Sequence, residues 1–517
     1  MMEPGPFQQS FYPDGEHQYL LPDDDGALPA YATTRRTWIM FCVTFGVLHG
    51  CAVTSMVYAS SLQGKDLSSA SLGAFFAAYT TAALFVATDV VRRVGVLYAL
   101  LTGFCGYVLL AASYLSYEIL GGGAVADAVV ICVEIKIYGA FVLNHRVVLH
   151  AIDATPARRR GGVNSSPLDR ARTAASSPRN DLVKNCRVYP THWLITTQVV
   201  LLASVGAGVG GATLWVGQTQ HYAQASAAHA DVQQIPAKEA SADFATLFAV
   251  IYVAMEACVK VATAVALGLG ATLEGATAGL VGVGACATAF FVHDPLELGL
   301  ARGARGKPSS DVGKSLRAVA LAHVADPRLW LLAPLPLGFG FSSALFTDWV
   351  DGLVDEKRGA AAVAVCSTVT TVTAGLAAIV LAGAARKGGP RAPVAVAFSS
   401  YAVLGVCLCA HSTSDLMAWR QLVLLFALQG VNRAVFENST KHIYVEFFRG
   451  TPCAAAALAS IYVHSGFAST ITYFTLFAEN KGLGGATLIA FAALIAFGFA
   501  AAETRPRPPK SLDDPYS

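Results

Sequence analysis

Charge is what this sequence has least of. Only 14% of its 517 residues are Asp, Glu, Lys or Arg, where a soluble domain carries about 25%, and that scarcity excludes the composition of a water-soluble enzyme. Net charge is small as well. The 36 basic and 34 acidic residues sum to +2, so there is no broad basic face to neutralise a run of phosphates, and nucleic acid is not an expected partner. Among the 11 cysteines there is no CxxC pair, and those at Cys42, Cys51, Cys105, Cys258, Cys286, Cys366, Cys407 and Cys409 sit in apolar runs. They read as small packing residues rather than metal ligands or disulfides. A phosphate loop is absent too: GARGKPSS (Gly303 to Ser310) has its Gly-Lys, but the GxxxxGK spacing needs glycine where Ala301 stands. No nucleophile appears with a base at working distance, so neither an enzyme nor a cofactor is expected.

What is abundant is apolar surface. Hydrophobic residues make up 54% of the chain, glycine contributes 47 positions and mean hydropathy is +0.51. Uncharged apolar runs of spanning length occur at Trp38 to Tyr58, Leu72 to Val91, Val96 to Leu115, Leu194 to Val216, Phe244 to Leu267, Ala278 to Phe291, Leu329 to Phe346, Ala360 to Ala384, Pro393 to Ala410, Leu422 to Lys441, Ala454 to Phe477 and Leu483 to Ala501. The sixth is short and the tenth contains charges. The pattern predicts an all-α polytopic membrane protein with the lipid bilayer as its first partner: twelve transmembrane helices in two six-helix bundles. The bundles fall at 37–293 and 329–501, between tails 1–36 and 502–517, with a connector at 294–328.

Basic residues set the expected orientation, because Lys and Arg in short loops stay in the cytoplasm. Arg35, Arg36, Arg92, Arg93, the stretch from Arg302 to Arg328, Arg386, Lys387, Arg391, Arg505, Arg507 and Lys510 fall on one side, which makes both termini cytoplasmic. An insert at about 118–189 between spans three and four breaks the pattern with Arg158, Arg159 and Arg160. Its apolar stretch Ala124 to Leu143 contains Glu134 and Lys136, and is expected to lie outside the membrane or at its surface rather than to span it. Asn164, Ser165 and Ser166 form a glycosylation acceptor there. No cleavable leader is visible, so span one is expected to act as the targeting signal. Glu16, Leu20 and Leu21 have the spacing of an acidic dileucine signal, which leaves the plasma membrane and an endolysosomal or vacuolar endomembrane both open.

The halves share a short likeness. WVGQTQHY (Trp215 to Tyr222) ends span four and FENSTKHI (Phe436 to Ile443) lies in span ten, aligning Trp215 with Phe436, Thr219 with Thr440 and His221 with His442. Glycine pairs at GxxxG spacing, Gly206 with Gly210 and Gly275 with Gly279, are expected to allow close helix approach.

Each charge inside a span costs about 2.5 to 3.5 kcal/mol on insertion scales and therefore needs a reason. Glu256 lies mid-span with Lys260 four residues on, and span ten carries Asn432, Arg433, Glu437 and Lys441. The i, i+4 spacing lets each helix pair its own charges. Lys441, close to the expected end of its span, is expected to snorkel. Glu256, Lys260, Asn432, Arg433 and Glu437, with Trp215, Gln218 and Gln220 near the expected end of span four, are the candidate central-cavity residues. For the last three, cavity lining and helix-to-helix hydrogen bonding are equally open.

Three regions carry a family resemblance: SSLQGKDLSSASLGAFFAAYTTAALFVATDVVRRVG (Ser60 to Gly95), GVGGATLWVGQTQHY (Gly208 to Tyr222), and LQGVNRAVFENSTKHIYVEFF (Leu428 to Phe448) together with DPRLWLLAPLPLGFGFSSALF (Asp326 to Phe346). On these, the chain resembles the uncoordinated-93 family of the major facilitator superfamily. The 118–189 insert departs from the family pattern, as do Ser342 and Ser343, which stand where the resemblance implies an acidic residue early in helix seven. The resemblance implies an accessory or regulatory protein for potassium channels or ion homeostasis, or a trafficking chaperone, with a channel or receptor as membrane partner. The alternative is a facilitator-type secondary transporter of a cation or small solute, using Glu256 and the Arg433 with Glu437 pair.

Overall fold

The computed structural model describes residues 35–120, 191–235, 237–293, 312–448, 451, 454–475 and 480–505. Glu16, Leu20 and Leu21, the insert with Asn164, and the Gly303 to Ser310 string lie outside the described residues. The chain divides into two compact units, residues 119–198 and the remainder. Of the smaller unit, the described parts 119–120 and 191–198 are helical.

Backbone in hydrocarbon has no water to bond, so each uncharged run closes its own hydrogen bonds as a helix. Among the described residues twelve long helices result: α1 (Arg35–Val57), α2 (Lys65–Phe85), α3 (Val96–Leu120), α4 (Thr191–Gln233), α5 (Ala237–Gly268), α6 (Leu273–His293), α7 (Arg328–Arg358), α8 (Ala360–Gly388), α9 (Arg391–Ala410), α10 (419–448), α11 (Ala454–Phe474) and α12 (Lys481–Thr504). Ten of them are long and apolar enough to cross a membrane; the other two are α10, which carries Arg433, Glu437 and Lys441, and α11.

Three helices outrun their apolar runs. α4 continues to Gln233, α7 to Arg358 and α10 to Phe448, because polar residues that face other helices need not end a helix. This moves Trp215 and Gln218 away from a helix end. Asp348 and Asp351 also become part of α7, so acidic groups do occupy that helix, beyond Ser342 and Ser343. Lys441 does not snorkel at a terminus; its ammonium lies 5.6 Å from the Tyr462 ring centroid, a cation–π contact. α7 and α10 each contain a π-helical turn, at Phe346–Val350 and Val435–Thr440. Thr440 Oγ1 donates to the Val435 carbonyl at 3.1 Å and Asn438 Nδ2 to that of Ala434 at 3.3 Å, satisfying carbonyls at the widened turn.

Helix ends are tied in pairs. Arg391 Nε donates to Glu503 at 2.9 Å, joining the start of α9 to the end of α12, and Lys481 Nζ donates to the His411 carbonyl at 2.5 Å on the opposite end. Arg358 Nε donates to the Met417 carbonyl at 2.7 Å and lies 5.0 Å from the Trp419 ring. Arg328 is buried at the foot of α7, where Nη2 reaches Asp326 Oδ2 at 2.5 Å.

α3 and α4 run antiparallel, with Gly103 against Gly210 and Leu214, and Gly106 against Ala207. The GxxxG expectation fails at Gly206 and Gly279, where an added Cβ would meet nothing; close approach comes instead from Gly208 against α2 and Gly210 against α3. Within the first bundle α1 packs on α5 and α6, and within the second α8 packs on α10, α9 on α12, and α7 on α11 and α12. The bundles meet along two antiparallel pairs, α2 with α11 and α5 with α8. Phe76 stacks on Tyr473 across the first pair, and Gly375 accepts Val253 across the second. Outward residues such as Leu202, Leu376, Ile379, Val380 and Phe497 are more than three-fifths exposed, an apolar surface suited to lipid.

At Gly430 an added Cβ would stand 2.5 Å from the Thr370 carbonyl and 2.9 Å from Thr373 Cβ, so α10 presses on α8 one turn before Arg433. Gly430→Leu should destabilise the purified protein by about 1 to 3 kcal/mol, read as a lowered unfolding midpoint in detergent. Leu376→Ala, on the lipid side of α8, should leave that midpoint unchanged.

Candidate functional site

α5 places Tyr252, Glu256 and Lys260 on one face, four residues apart. α10 brings Arg433 and Glu437 to the same spot from the second bundle, α8 adds Thr371 and α1 adds His49. Glu256 is 0% exposed and Lys260 3%, so the charges must be satisfied by one another.

Arg433 holds Glu256 with a two-pronged grip. Nη1 donates to Oε1 and Nη2 to Oε2, both at 2.6 Å, the geometry in which a guanidinium binds a carboxylate best. Its Nε donates to Glu437 Oε1 at 2.8 Å. Lys260 Nζ lies 2.8 Å from Glu256 Oε1 and donates to Thr371 Oγ1 at 2.8 Å, and the Thr371 hydroxyl turns back to Glu256 Oε1 at 3.2 Å. Arg433 Nη2 reaches Tyr252 OH at 3.5 Å, and that hydroxyl shares a hydrogen bond with His49 Nδ1 at 2.9 Å.

Two carboxylates face two cations, so the set carries no net charge with His49 neutral. Both i, i+4 pairs expected from spacing form. The joining of the two across the bundles was beyond what spacing shows.

Trp215 lines the site, its ring 5.4 Å from those of His49 and Phe45 and 6.1 Å from Tyr252. Gln218 and Gln220, further along α4, make no hydrogen bond to any member of the set. Nor does Asn432: it faces away, where its Oδ1 accepts from Ser400 of α9. In the aligned position of the other half, Phe436 stacks on Phe339 at 4.0 Å rather than repeating the role of Trp215. Sequence reasoning missed His49, Tyr252 and Thr371. Tyr252 had a signal, lying one turn before Glu256, and His49 is a polar residue in an apolar run; Thr371, within VTTVT, had none. A small apolar crevice lies elsewhere, lined by Leu48, Tyr107, Leu280 and Gly284 within the first bundle.

No family model matches the chain, and no curated protein sequence does. Solved structures do. The nucleoside transporter NupG is similar with a TM-score of 0.55 at 10% identity, over 90% of this chain and 99% of that one. The xylose transporter XylE from E. coli, in a partially occluded inward-open conformation, gives 0.51 at 9% identity, over 91% and 97%. A D-xylose–proton symporter gives 0.50 at 11% identity, over 90% and 95%. At such low identity the likeness shows the fold alone: a polytopic, all-helical membrane fold of the kind these transporters have.

Removing one partner of the central set strands a buried charge. Arg433→Ala should destabilise by about 3 to 5 kcal/mol, and adding Glu256→Gln should recover part of that loss. Strictly additive effects in a double-mutant cycle of unfolding midpoints would rule out direct coupling between them.

Proposed function

We propose that the chain is a major-facilitator-type secondary transporter whose central site is Glu256 with the Arg433 and Glu437 pair, joined by Lys260 and Tyr252. The observation that carries this reading is the bidentate Glu256–Arg433 contact. It is a reversible latch between two bundles, at the depth where such folds bind solute. A solute that offers its own donors to Glu256 and acceptors to Arg433 and Lys260 replaces the latch without leaving either charge bare. The charge balance narrows the solute class. A bare cation approaching Glu256 also meets Arg433 and Lys260, whereas a neutral or zwitterionic polar solute matches a set that sums to zero.

The bundles are assigned to 37–293 and 329–501, joined by the connector. Both termini are assigned to the cytoplasm on the distribution of Lys and Arg, in the plasma membrane or an endomembrane.

A second reading has its own support. Every charge in the set is satisfied inside the protein and Glu256 is wholly buried, which suits a locked facilitator scaffold acting as regulator or escort of a channel or receptor. The stretches similar to the uncoordinated-93 family favour the same role.

Reconstitution in proteoliposomes decides between them. Saturable uptake of a polar solute should fall by about tenfold or more in Glu256→Gln, the factor that 1.4 kcal/mol of differential binding represents, while the variant stays monodisperse. No uptake of any polar solute, with a stoichiometric membrane-protein partner recovered on purification from native membrane, would leave the regulatory reading instead.

A further inference from the structure

A second group of buried polar atoms lies apart from the central set, where the turn between α1 and α2 meets α7 just past its π-helical turn. Tyr58 is 0% exposed, Asp351 4% and Gln63 5%. Oδ1 of Asp351, both polar atoms of the Gln63 amide, and the hydroxyls of Tyr58, Ser60 and Ser61 are buried and make no hydrogen bond. The two segments that carry them touch. The short helix Ala59–Gln63 packs against the Asp351–Arg358 segment of α7, and a Cβ on Gly352 would stand 3.9 Å from Ser60 Oγ. The Tyr58 hydroxyl is within electrostatic reach of Asp351 and Asp355.

Unpartnered buried polar atoms are scarce in native proteins, and six on two facing segments mark a place built around something else. Charge says what. Lys260 is in electrostatic reach of Asp351, but its ammonium is spent on Glu256 and Thr371. The central set already sums to zero without Asp351, and Asp355 on the same helix face adds a further negative charge. Asp348, one turn earlier, has its own donor in Ser69. Among the described residues no cation bonds Asp351 directly, and a buried carboxylate is not left bare in proteins. A proton would neutralise it, yet would leave the Gln63 carbonyl oxygen and three hydroxyl oxygens as they are. Oxygen donors on two touching segments that carry one carboxylate suit a hard cation of single charge.

We infer that Asp351, Gln63, Tyr58 and Ser60 form a binding site for an alkali-metal cation between the α1–α2 turn and α7. The site is independent of solute transport, so alkali-cation binding and uptake succeed or fail separately.

The test is the unfolding midpoint of the purified full chain in detergent, with sodium, potassium or choline chloride at constant ionic strength. Stabilisation should rise saturably with sodium or potassium, as for any ligand bound only by the folded state, and not with choline. Asp351→Asn should abolish the rise, and Gln63→Leu should weaken apparent affinity by about tenfold, the loss expected for one hydrogen-bonding-strength contact to a charged group. Equal midpoints in sodium, potassium and choline would overturn the site, as would a rise that survives Asp351→Asn or one that follows pH alone. Should Asp351→Asn fail to fold, radioactive sodium binding to Gln63→Leu serves in its place, and unchanged affinity there would overturn the proposal equally.

Discussion

The structure is organised by the burial of one carboxylate. Glu256 sits in the middle of a membrane-spanning helix with no exposure at all, and an ionised carboxylate in that setting is tolerable only with positive charge at bonding distance. Lys260 supplies part of it from the same helix. Arg433 supplies the rest from the other bundle, and so the two bundles cannot be placed independently. For the guanidinium to arrive, α10 must press on α8 at Gly430 and α8 on α5 at Gly375. Trp215, Phe45 and Tyr252 pack around the pair, and by keeping water out they strengthen every contact in it.

Much of this was legible in the sequence because a membrane makes charge expensive. The twelve apolar runs located the helices, and the few charges inside them located Glu256, Lys260, Arg433 and Glu437. The rest followed rules that hydropathy does not express. A run of apolar residues ends at the first cluster of polar ones, but a helix ends where its hydrogen bonding does; α4, α7 and α10 therefore extend further than their runs, and α7 takes in Asp348 and Asp351 beyond the run that ends at Phe346. Asn432 lies beside Arg433 in sequence, yet adjacent positions on a helix point about 100° apart, and so it bonds to α9 instead. GxxxG spacing marks small residues but not which face meets a neighbour, and Gly206 and Gly279 look out onto open space.

Among the described residues, the second bundle contains two π-helical turns, and each borders polar chemistry. One precedes Asp351; the other begins two residues after Arg433 and contains Glu437. A wider turn changes the phase of the residues that follow, which is how one helix can present lipid-facing side chains before the turn and inward-facing polar ones after it. These interruptions are consistent with irregular backbone being confined to the protein-lined interior of a membrane protein.

The neutrality of the central set also bears on energetics of a different kind. Moving an elementary charge through the membrane potential changes its energy by about 2.3 kcal/mol per 100 mV. Glu256 with Lys260 on one bundle, and Arg433 with Glu437 on the other, each sum to zero, so a rearrangement of one bundle against the other would carry almost no protein charge through that field. The voltage sensitivity of such a movement is then set by whatever moves with it, and a neutral cargo would cross as readily in a polarised membrane as in a depolarised one.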